Sequence, residues 1–326
     1  MRISILLPYK ENFSSSKAGA VSLNVRDTTS NSKFKNNILI FGETVEKNKL
    51  LKNFIHINVE RGFYLSKTRS YVNKFIALQR KYKSEIVEVH NRPSYIKFLS
   101  SIKSKLTLYF HNDPLNMKDS TSVYERIKLL NQVNKIVFNS NWCKSRFTLG
   151  LNSKLYKDKL IVIPQSTSTT KINFNLKKKI ISFIGKLNES KGYDAFGYSI
   201  IKILNEFKDW KGIVIGDEPR QKLFFKHKNL KLYGYKNNTF ILNKLKETSI
   251  SVIPSRWDEP FGRASLEATS RGCATIISKR GGLPETTKHA VFIKNVSEKI
   301  LYRQIKKLIL NERLRLKIQK NAYKNF

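Results

Sequence analysis

The sequence predicts an α/β protein built as two doubly wound halves. Three observations carry that expectation: short β-branched runs that end in polar or turn residues, helix-length amphipathic stretches between them, and a polar break near mid-chain. In the first half the runs cover 3–8, 38–41, 54–59, 86–90, 106–111, 135–140 and 160–164. β-branched side chains pack well on a pleated surface, and continuous apolar runs suit strands covered on both faces. The stretches 66–83 and 122–133 repeat apolar residues at helical spacing, so this half reads as parallel strands joined by crossover helices. Residues 165–179 are rich in Ser, Thr, Asn and Lys with few large apolar side chains, the composition of a connection between domains. A second series of strands follows at 180–185, 212–216, 230–235, 250–254, 274–278 and 290–293. The expected division is therefore 1–168, a linker at 169–179, and 180–326. Ligands of open parallel sheets lie beyond the carboxyl ends of the strands, so a cleft between two such halves facing each other is the expected site.

The chain has 326 residues, 40% hydrophobic and 26% charged, which excludes both a disordered tail and a bundle of membrane spans. The sign of the charge is the unusual feature. Lys and Arg number 62 against 24 Asp and Glu, a formal +38. Nucleic acid, a bilayer of acidic lipids and a phosphorylated small substrate all fit that excess, and so does codon drift, which favours Lys, Asn and Ile without any partner. Cys143 and Cys273 lie far apart, with no CxxC and no Cys/His cluster, so no metal site is expected and a reducing compartment is. The apolar run at Ile5, Leu6 and Leu7 is too short for a signal-peptide core, and no stretch nears the ~20 apolar residues of a membrane span. The expected location is the cytoplasm, soluble or peripheral at the inner face of the membrane.

Two segments carry chemistry. The run 180–184 leads into Gly185, Lys186 and Leu187, then Lys191 and Gly192, then a helix; a glycine lets backbone approach a ligand, and two lysines around a strand-to-helix turn suit a diphosphate. The segment 255–285 holds Glu259-Pro260-Phe261-Gly262, then Glu267 heading a helix, then Arg271-Gly272 and Gly281-Gly282-Leu283-Pro284-Glu285. Ionised carboxylates only accept hydrogen bonds, which matches Glu259 and Glu267 to the vicinal hydroxyls of a sugar or ribose. A solvated turn and exposed acids would produce the same residues.

The second segment resembles the E-x7-E signature of the retaining family 4 glycosyltransferases of GT-B fold, and 185–192 resembles their G-R-L-x-x-x-K-G loop. Gly234-Tyr235, the helical 239–247 and the strand 250–255 follow the family's order. The resemblance implies two Rossmann-like domains facing across a cleft, an N-terminal acceptor side and a C-terminal nucleotide-sugar side. It implies that Lys186 and Lys191 hold the diphosphate, that Glu259 and the backbone of Phe261 and Gly262 meet the sugar, and that Glu267 meets the ribose. Gly185, Gly234 and Tyr235 fall in the donor site, Gly234 and Tyr235 near the base; Gly19-Ala20 falls in the loop that approaches the phosphates. His111 matches a histidine near the transferred sugar, and Asn139-Ser140-Asn141-Trp142 a structural motif. No cofactor is implied beyond the nucleoside-diphosphate sugar as substrate. No D-x-D occurs, so metal-independent hexosyl transfer is expected. Lys186 replaces the usual arginine, giving a point charge in place of a bidentate fork. Gln165-Ser166 replaces Asn-Gly, and Cys273 fills a slot often held by proline, read as packing. After the expected helix 312–323 the chain stops at Phe326, where relatives carry a helix crossing back, so that crossover is expected to be short or missing.

On the acceptor side His90-Asn91-Arg92-Pro93 ends a strand, and Arg92 suits an anionic acceptor or is a plain loop arginine. The helix-like 64–83, starting at Tyr64, mixes six basic residues with Tyr71, Val72, Phe75, Ile76 and Leu78, a pattern fitting an anionic membrane or a solvated helix face. The expected activity is sugar transfer from a nucleotide sugar to a glycan or lipid-linked acceptor in cell-surface polysaccharide or lipopolysaccharide synthesis. A GT-B sugar-nucleotide epimerase or phosphorylase is the alternative. A basic nucleic-acid-binding protein is the rival from another class, with no zinc spacing, basic zipper or RNP-like motif to support it.

Overall fold

The computed structural model describes residues 1–59, 66–221 and 223–326, which form two compact units, Met1–Ser166 and Thr167–Phe326. Tyr64, where the basic helix-like stretch was expected to begin, lies outside the described residues.

The first unit holds β1 (Ile3–Leu6), α1 (Ala20–Asn31), β2 (Ile38–Gly42), β3 (Phe54–His56), α2 (Lys67–Tyr82), β4 (Ile86–His90) and β5 (Lys105–Phe110). It continues with α3 (Val123–Gln132), β6 (Lys135–Phe138), α4 (Asn141–Thr148) and β7 (Leu160–Val162). Its seven strands run parallel in the order β3-β2-β1-β4-β5-β6-β7. Alternation along each strand sorts the core. Ile3 and Ile5 turn to the face covered by Val21 and Val25 of α1, whereas Leu6, Val87, Val89 and Phe110 pack against Phe75 and Leu129 from α2 and α3. The α3 start follows its sequence: Ser122 and Glu125 close a capping box.

The second unit holds β8 (Lys178–Ile184), α5 (Tyr193–Glu206), β9 (Lys211–Ile215), β10 (Leu230–Leu232), α6 (Asn238–Glu247), β11 (Thr248–Ile253) and α7 (Arg263–Ser270). After these come β12 (Ala274–Ser278), β13 (Val291–Ile293), α8 (Glu298–Leu310) and α9 (Glu312–Lys324). Its six strands are again parallel, ordered β10-β9-β8-β11-β12-β13. Strand order reverses between β1 and β4 in the first sheet and between β8 and β11 in the second, and such switch points leave a crevice at the carboxyl ends. Among the described residues no helix is long and apolar enough to cross a membrane.

Residues 167–177, although polar, are fastened to the second unit. The Arg271 guanidinium donates to the Ser168 carbonyl at 2.5 Å, the Tyr323 hydroxyl to the Thr170 carbonyl at 2.9 Å, and Phe174 meets the Tyr323 ring edge-on. Lys177 goes furthest. Its ammonium donates to the carbonyls of Leu245 (2.9 Å), Thr248 (2.8 Å) and Arg271 (2.6 Å), matching three N–H groups to the ends of α6 and α7. Burial pushes its pKa down, and Cys273 beside it is a buried free thiol whose pKa burial raises, so the cysteine is packing.

The same device recurs. Lys159 donates to the carbonyls of Leu130 and Val133 at the end of α3, Arg126 to those of Phe147 and Leu149 at the end of α4, and Arg315 to those of Leu308 and Ile309 at the end of α8. A cation at a helix C-terminus satisfies orphan carbonyls and meets the negative end of the dipole. Replacing Lys177 with Met keeps the apolar stem and strands three carbonyls, so the free energy of unfolding of the second unit should fall by about 3 kcal/mol. Urea denaturation reads this, and a loss below about 0.5 kcal/mol would refute the capping role.

Candidate functional site

In the second unit the candidate site lies at the switch point, between the loop after β8 and the loop after β11. Gly185 leaves β8 at φ +151, and a Cβ on Gly216 would meet the Gly185 carbonyl oxygen at 1.8 Å, so only glycine lets the two strand ends pass. Lys186 follows with an exposed side chain. The next turn is fixed by Asn188, whose side chain accepts from the Lys191 amide, and by Gly192 at φ +72. A Cβ on Gly192 would lie 2.1 Å from the Pro254 carbonyl oxygen.

That close approach is one of several clamps between the two loops. The Ser190 carbonyl accepts from the amides of Arg256 (2.8 Å) and Trp257 (3.0 Å). The Arg256 guanidinium grips Asp194 with bonds of 2.6 and 2.9 Å and the Glu189 carbonyl at 2.7 Å. These bring together two residues 68 positions apart: Lys191 Nζ lies 2.5 Å from Glu259 Oε1, with side chains 27% and 13% exposed. A third loop holds Glu259 from behind, because the Gly282 amide donates to its carbonyl at 2.6 Å and a Cβ on Gly281 would meet that oxygen at 2.2 Å.

Phe261 is buried, and Gly262 at φ +118 opens α7, where a Cβ would sit 2.4 Å from Leu283 Cδ1. Glu267 was expected to head a helix. α7 begins at Arg263, which makes Glu267 its fifth residue, buried and held by Arg263 Nε and Asn238 Nδ2, each at 2.8 Å from Oε1. Gly234, at φ +65, follows β10 and accepts from the Gly216 amide, with Tyr235 half-exposed beside it. Burial and the Asp217 charge raise the Tyr235 pKa. Next to this turn Glu218 receives both Arg220 nitrogens, at 2.7 and 3.0 Å, which holds its carboxyl down at about 2.

In the first unit His111 follows β5 and is buried. Asn91, in the left-handed region at φ +53, accepts from the amides of His111 and Asn112 at 3.1 Å each, and Asn139 Nδ2 donates to the His111 carbonyl. His111 Nε2 lies 2.9 Å from His90 Nδ1. Burial first, and His90 second, push the His111 pKa well below 6.5, so its ring is neutral. Arg92 is turned onto its own chain, donating to the Asn91 carbonyl at 2.8 Å. Gly19 precedes α1, and the Glu11 carboxylate accepts from the Ser22 amide at 3.1 Å, supplying the anion that favours a helix N-terminus and that a glycine cap lacks. A Cβ on Gly19 would lie 2.9 Å from Glu11 Oε1. Among the described residues no group of three or more His, Cys, Asp or Glu is placed to hold a metal ion.

Sequence reading passed over Arg256, Asp194, Asn188, Gly216, Glu11 and the pairing of His90 with His111. Gly216 at a strand end was the one legible signal among them; the others are ordinary polar residues until the fold juxtaposes them.

Residues 165–325 match the family model described as Glycosyl transferases group 1. That span is nearly the whole second unit. Among curated relatives, an uncharacterized 42.6 kDa protein in the cps region of Klebsiella pneumoniae is 29% identical over 173 residues, 46% of this chain and 44% of that protein. An uncharacterized glycosyltransferase of Methanocaldococcus jannaschii is 33% identical over 135 residues, 37% of this chain and 34% of that protein. The putative glycosyltransferase YtcC of Bacillus subtilis is 24% identical, covering 64% and 58% respectively. The matched stretches thus span less than two thirds of these relatives. Two solved structures share the fold. Anabaena HepE, in complex with UDP-glucose, superposes with TM-score 0.76 at 14% identity, covering 99% of this chain and 94% of its own. WaaG, a glycosyltransferase involved in lipopolysaccharide biosynthesis, gives 0.67 at 12%, covering 98% and 94%. The α/β fold is thus the one these GT-B glycosyltransferase structures carry, and the Glycosyl transferases group 1 match covers residues 165–325.

The buried His111 makes a thermodynamic prediction. Its folded pKa is depressed, so the unfolded chain takes up the proton first; stability is complete above about pH 6.5 and falls as pH drops below it, by up to about 1.4 kcal/mol per unit. Between pH 7.5 and 5.5 the variant His111→Asn should lose less stability than wild type in urea titrations. Equal losses would contradict a neutral buried imidazole.

Proposed function

We propose that the chain is a retaining family 4 glycosyltransferase that moves a hexose, without a metal ion, from a nucleoside-diphosphate sugar to a glycan or lipid-linked acceptor in cell-surface polysaccharide or lipopolysaccharide synthesis. The observation that carries this reading is the Lys191–Glu259 pair, 2.5 Å apart, standing at a sheet switch point near the exposed Lys186. In this reading Lys186 and Lys191 donate to the diphosphate, Glu259 and the backbone of Phe261 and Gly262 receive the sugar, and Glu267 receives the ribose hydroxyls. Gly185 and Gly234 give the ligand room beside backbone, and Tyr235 covers the base. His111 accepts from the transferred sugar, Gly19 faces the phosphates, and Arg92 meets an anionic acceptor. HepE, whose structure holds UDP-glucose, supports a nucleotide sugar as donor, and WaaG, involved in lipopolysaccharide biosynthesis, supports a role in cell-surface glycan synthesis.

Departure of a nucleoside diphosphate builds negative charge on the leaving oxygen, and cations already at the site stabilise it. Each charge-assisted bond is worth about 1.5–3 kcal/mol, of which only the part gained on the way to the transition state accelerates transfer. In this reading the leaving phosphate oxygen is the base that takes the acceptor hydroxyl's proton as that hydroxyl attacks from the same face.

Incubation with a panel of nucleotide sugars, with and without lipid-linked acceptor, tests this by release of nucleoside diphosphate. Acceptor-dependent release is expected; conversion of the sugar without release would favour an epimerase. Lys191→Ala and Glu259→Ala should each lower kcat/KM by about 10²–10³ while unfolding curves stay close to wild type. Full activity in both variants would remove the site assignment.

The peripheral location has its own support. α2 buries Tyr71, Val72 and Phe75 and exposes Lys67, Lys74 and Lys81, whose seven-residue spacing aligns them along one face. Each basic residue near an acidic bilayer contributes about 1 kcal/mol, so changing all three to Glu should abolish sedimentation with vesicles containing phosphatidylglycerol at 0.1 M salt. Unchanged sedimentation would show that this face does not meet lipid.

A further inference from the structure

We infer that Glu88 and His90 are positioning residues that hold His111 in the tautomer with its proton on Nε2, leaving Nδ1 as a bare acceptor for a sugar hydroxyl. The inference deepens the functional reading above and rests on it for the identity of the hydroxyl.

β4 and β5 pair with His90 opposite Tyr109, which puts His90 beside His111 at the strand ends. The three rings stack, with centroids 4.5 Å apart for Tyr109 and His90 and 5.1 Å for His90 and His111. His90 Nδ1 and His111 Nε2 are 2.9 Å apart, so one proton lies between them and the partner nitrogen carries a lone pair. On the far side of His90, Nε2 faces Glu88 Oε2 at 3.5 Å. An ionised carboxylate has only lone pairs to offer, so His90 Nε2 is the protonated nitrogen. With its one proton on Nε2, His90 is bare at Nδ1, which obliges His111 to donate from Nε2. The opposite order would point a bare His90 nitrogen at a carboxylate, two acceptors face to face.

What remains exposed chemically is His111 Nδ1. It is buried and has no partner, and so is Asn139 Oδ1, whose amide nitrogen is committed to the His111 carbonyl. Buried acceptors without donors are uncommon because each has lost water and gained nothing. Both stand at the carboxyl ends of neighbouring strands, β5 and β6. Two lone pairs repel an anion and suit hydroxyl donors, so this subsite takes the hydroxyls of a sugar and not its phosphates.

The test uses the full chain labelled with 15N-histidine and reads the imidazole nitrogens by NMR, His90→Gln and His111→Gln spectra giving the assignments. Expected in wild type is an unprotonated Nδ1 and a protonated Nε2 on His111. Glu88→Leu, at a side chain 21% exposed, should move His111 toward the other tautomer and lower kcat/KM for transfer by about tenfold. Glu88→Gln, whose carbonyl oxygen still accepts from His90, should restore the wild-type shifts and most of the rate. A protonated His111 Nδ1 in wild type, or shifts unaltered in Glu88→Leu, overturns the inference. If wild type transfers no sugar from any nucleotide sugar, the functional reading fails, while the 15N shifts still decide whether Glu88 and His90 set the tautomer.

Discussion

The Arg256 guanidinium spans two loops, with two bonds to Asp194 and one to the Glu189 carbonyl, and the C-terminal site is assembled around that grip. Without it Lys191 and Glu259 belong to separate strand ends. With it, and with Gly192 pressed against the Pro254 carbonyl, their side chains meet at 2.5 Å. Arg and Asp form the grip at part-exposed positions, where a single ion pair contributes little, so its strength comes from geometry: a bidentate fork and backbone bonds at Ser190 that share the load. A lysine at 256 would keep the charge and lose the fork.

The excess of cations also has a use inside the fold. With 24 acids for 62 basic residues, most cations cannot find a carboxylate, and several turn instead to backbone carbonyls. Lys159, Arg126, Lys177 and Arg315 reach across from other elements to close the C-termini of α3, α4, α6 and α8. These bonds are largely sheltered, so salt screens them less than surface ion pairs. Part of the cation excess thus serves the fold itself, and the net charge by itself is a poor guide to partners.

Strands and helices were legible because their signal is local. The alternation that sends Ile180 to one face and Ile181 to the other is written in consecutive residues, and the Ser122–Glu125 box announces its helix. Polar juxtapositions are not local. Lys177 sits in a run of three lysines, two of which make exposed ion pairs with Glu247 and Asp209, and nothing in the run says that the first one turns inward. Glu267 was read as heading a helix, whereas Gly262, at positive φ, is the residue from which α7 starts. His90 and His111 look unrelated at a separation of 21 residues, and only strand pairing makes them neighbours.

On the proposed function, the two lysines of the donor loop are unequal partners for a diphosphate. Lys186 is exposed and in that proposal meets the incoming anion as a solvated charge, which helps capture and weakens with salt. Lys191 already holds a carboxylate, and its charge is half spent before any ligand arrives. A phosphate that enters must share that ammonium with Glu259, so binding in the ground state gains less than an unpaired lysine would give. As the sugar bond breaks, the phosphate becomes the stronger acceptor and draws the ammonium further from Glu259. The carboxylate is then freed to face the positive charge that grows on the sugar. Pairing the two in advance therefore withholds stabilisation from the bound substrate and releases it where charge separates, which is the condition under which binding energy raises kcat and does not merely lower KM.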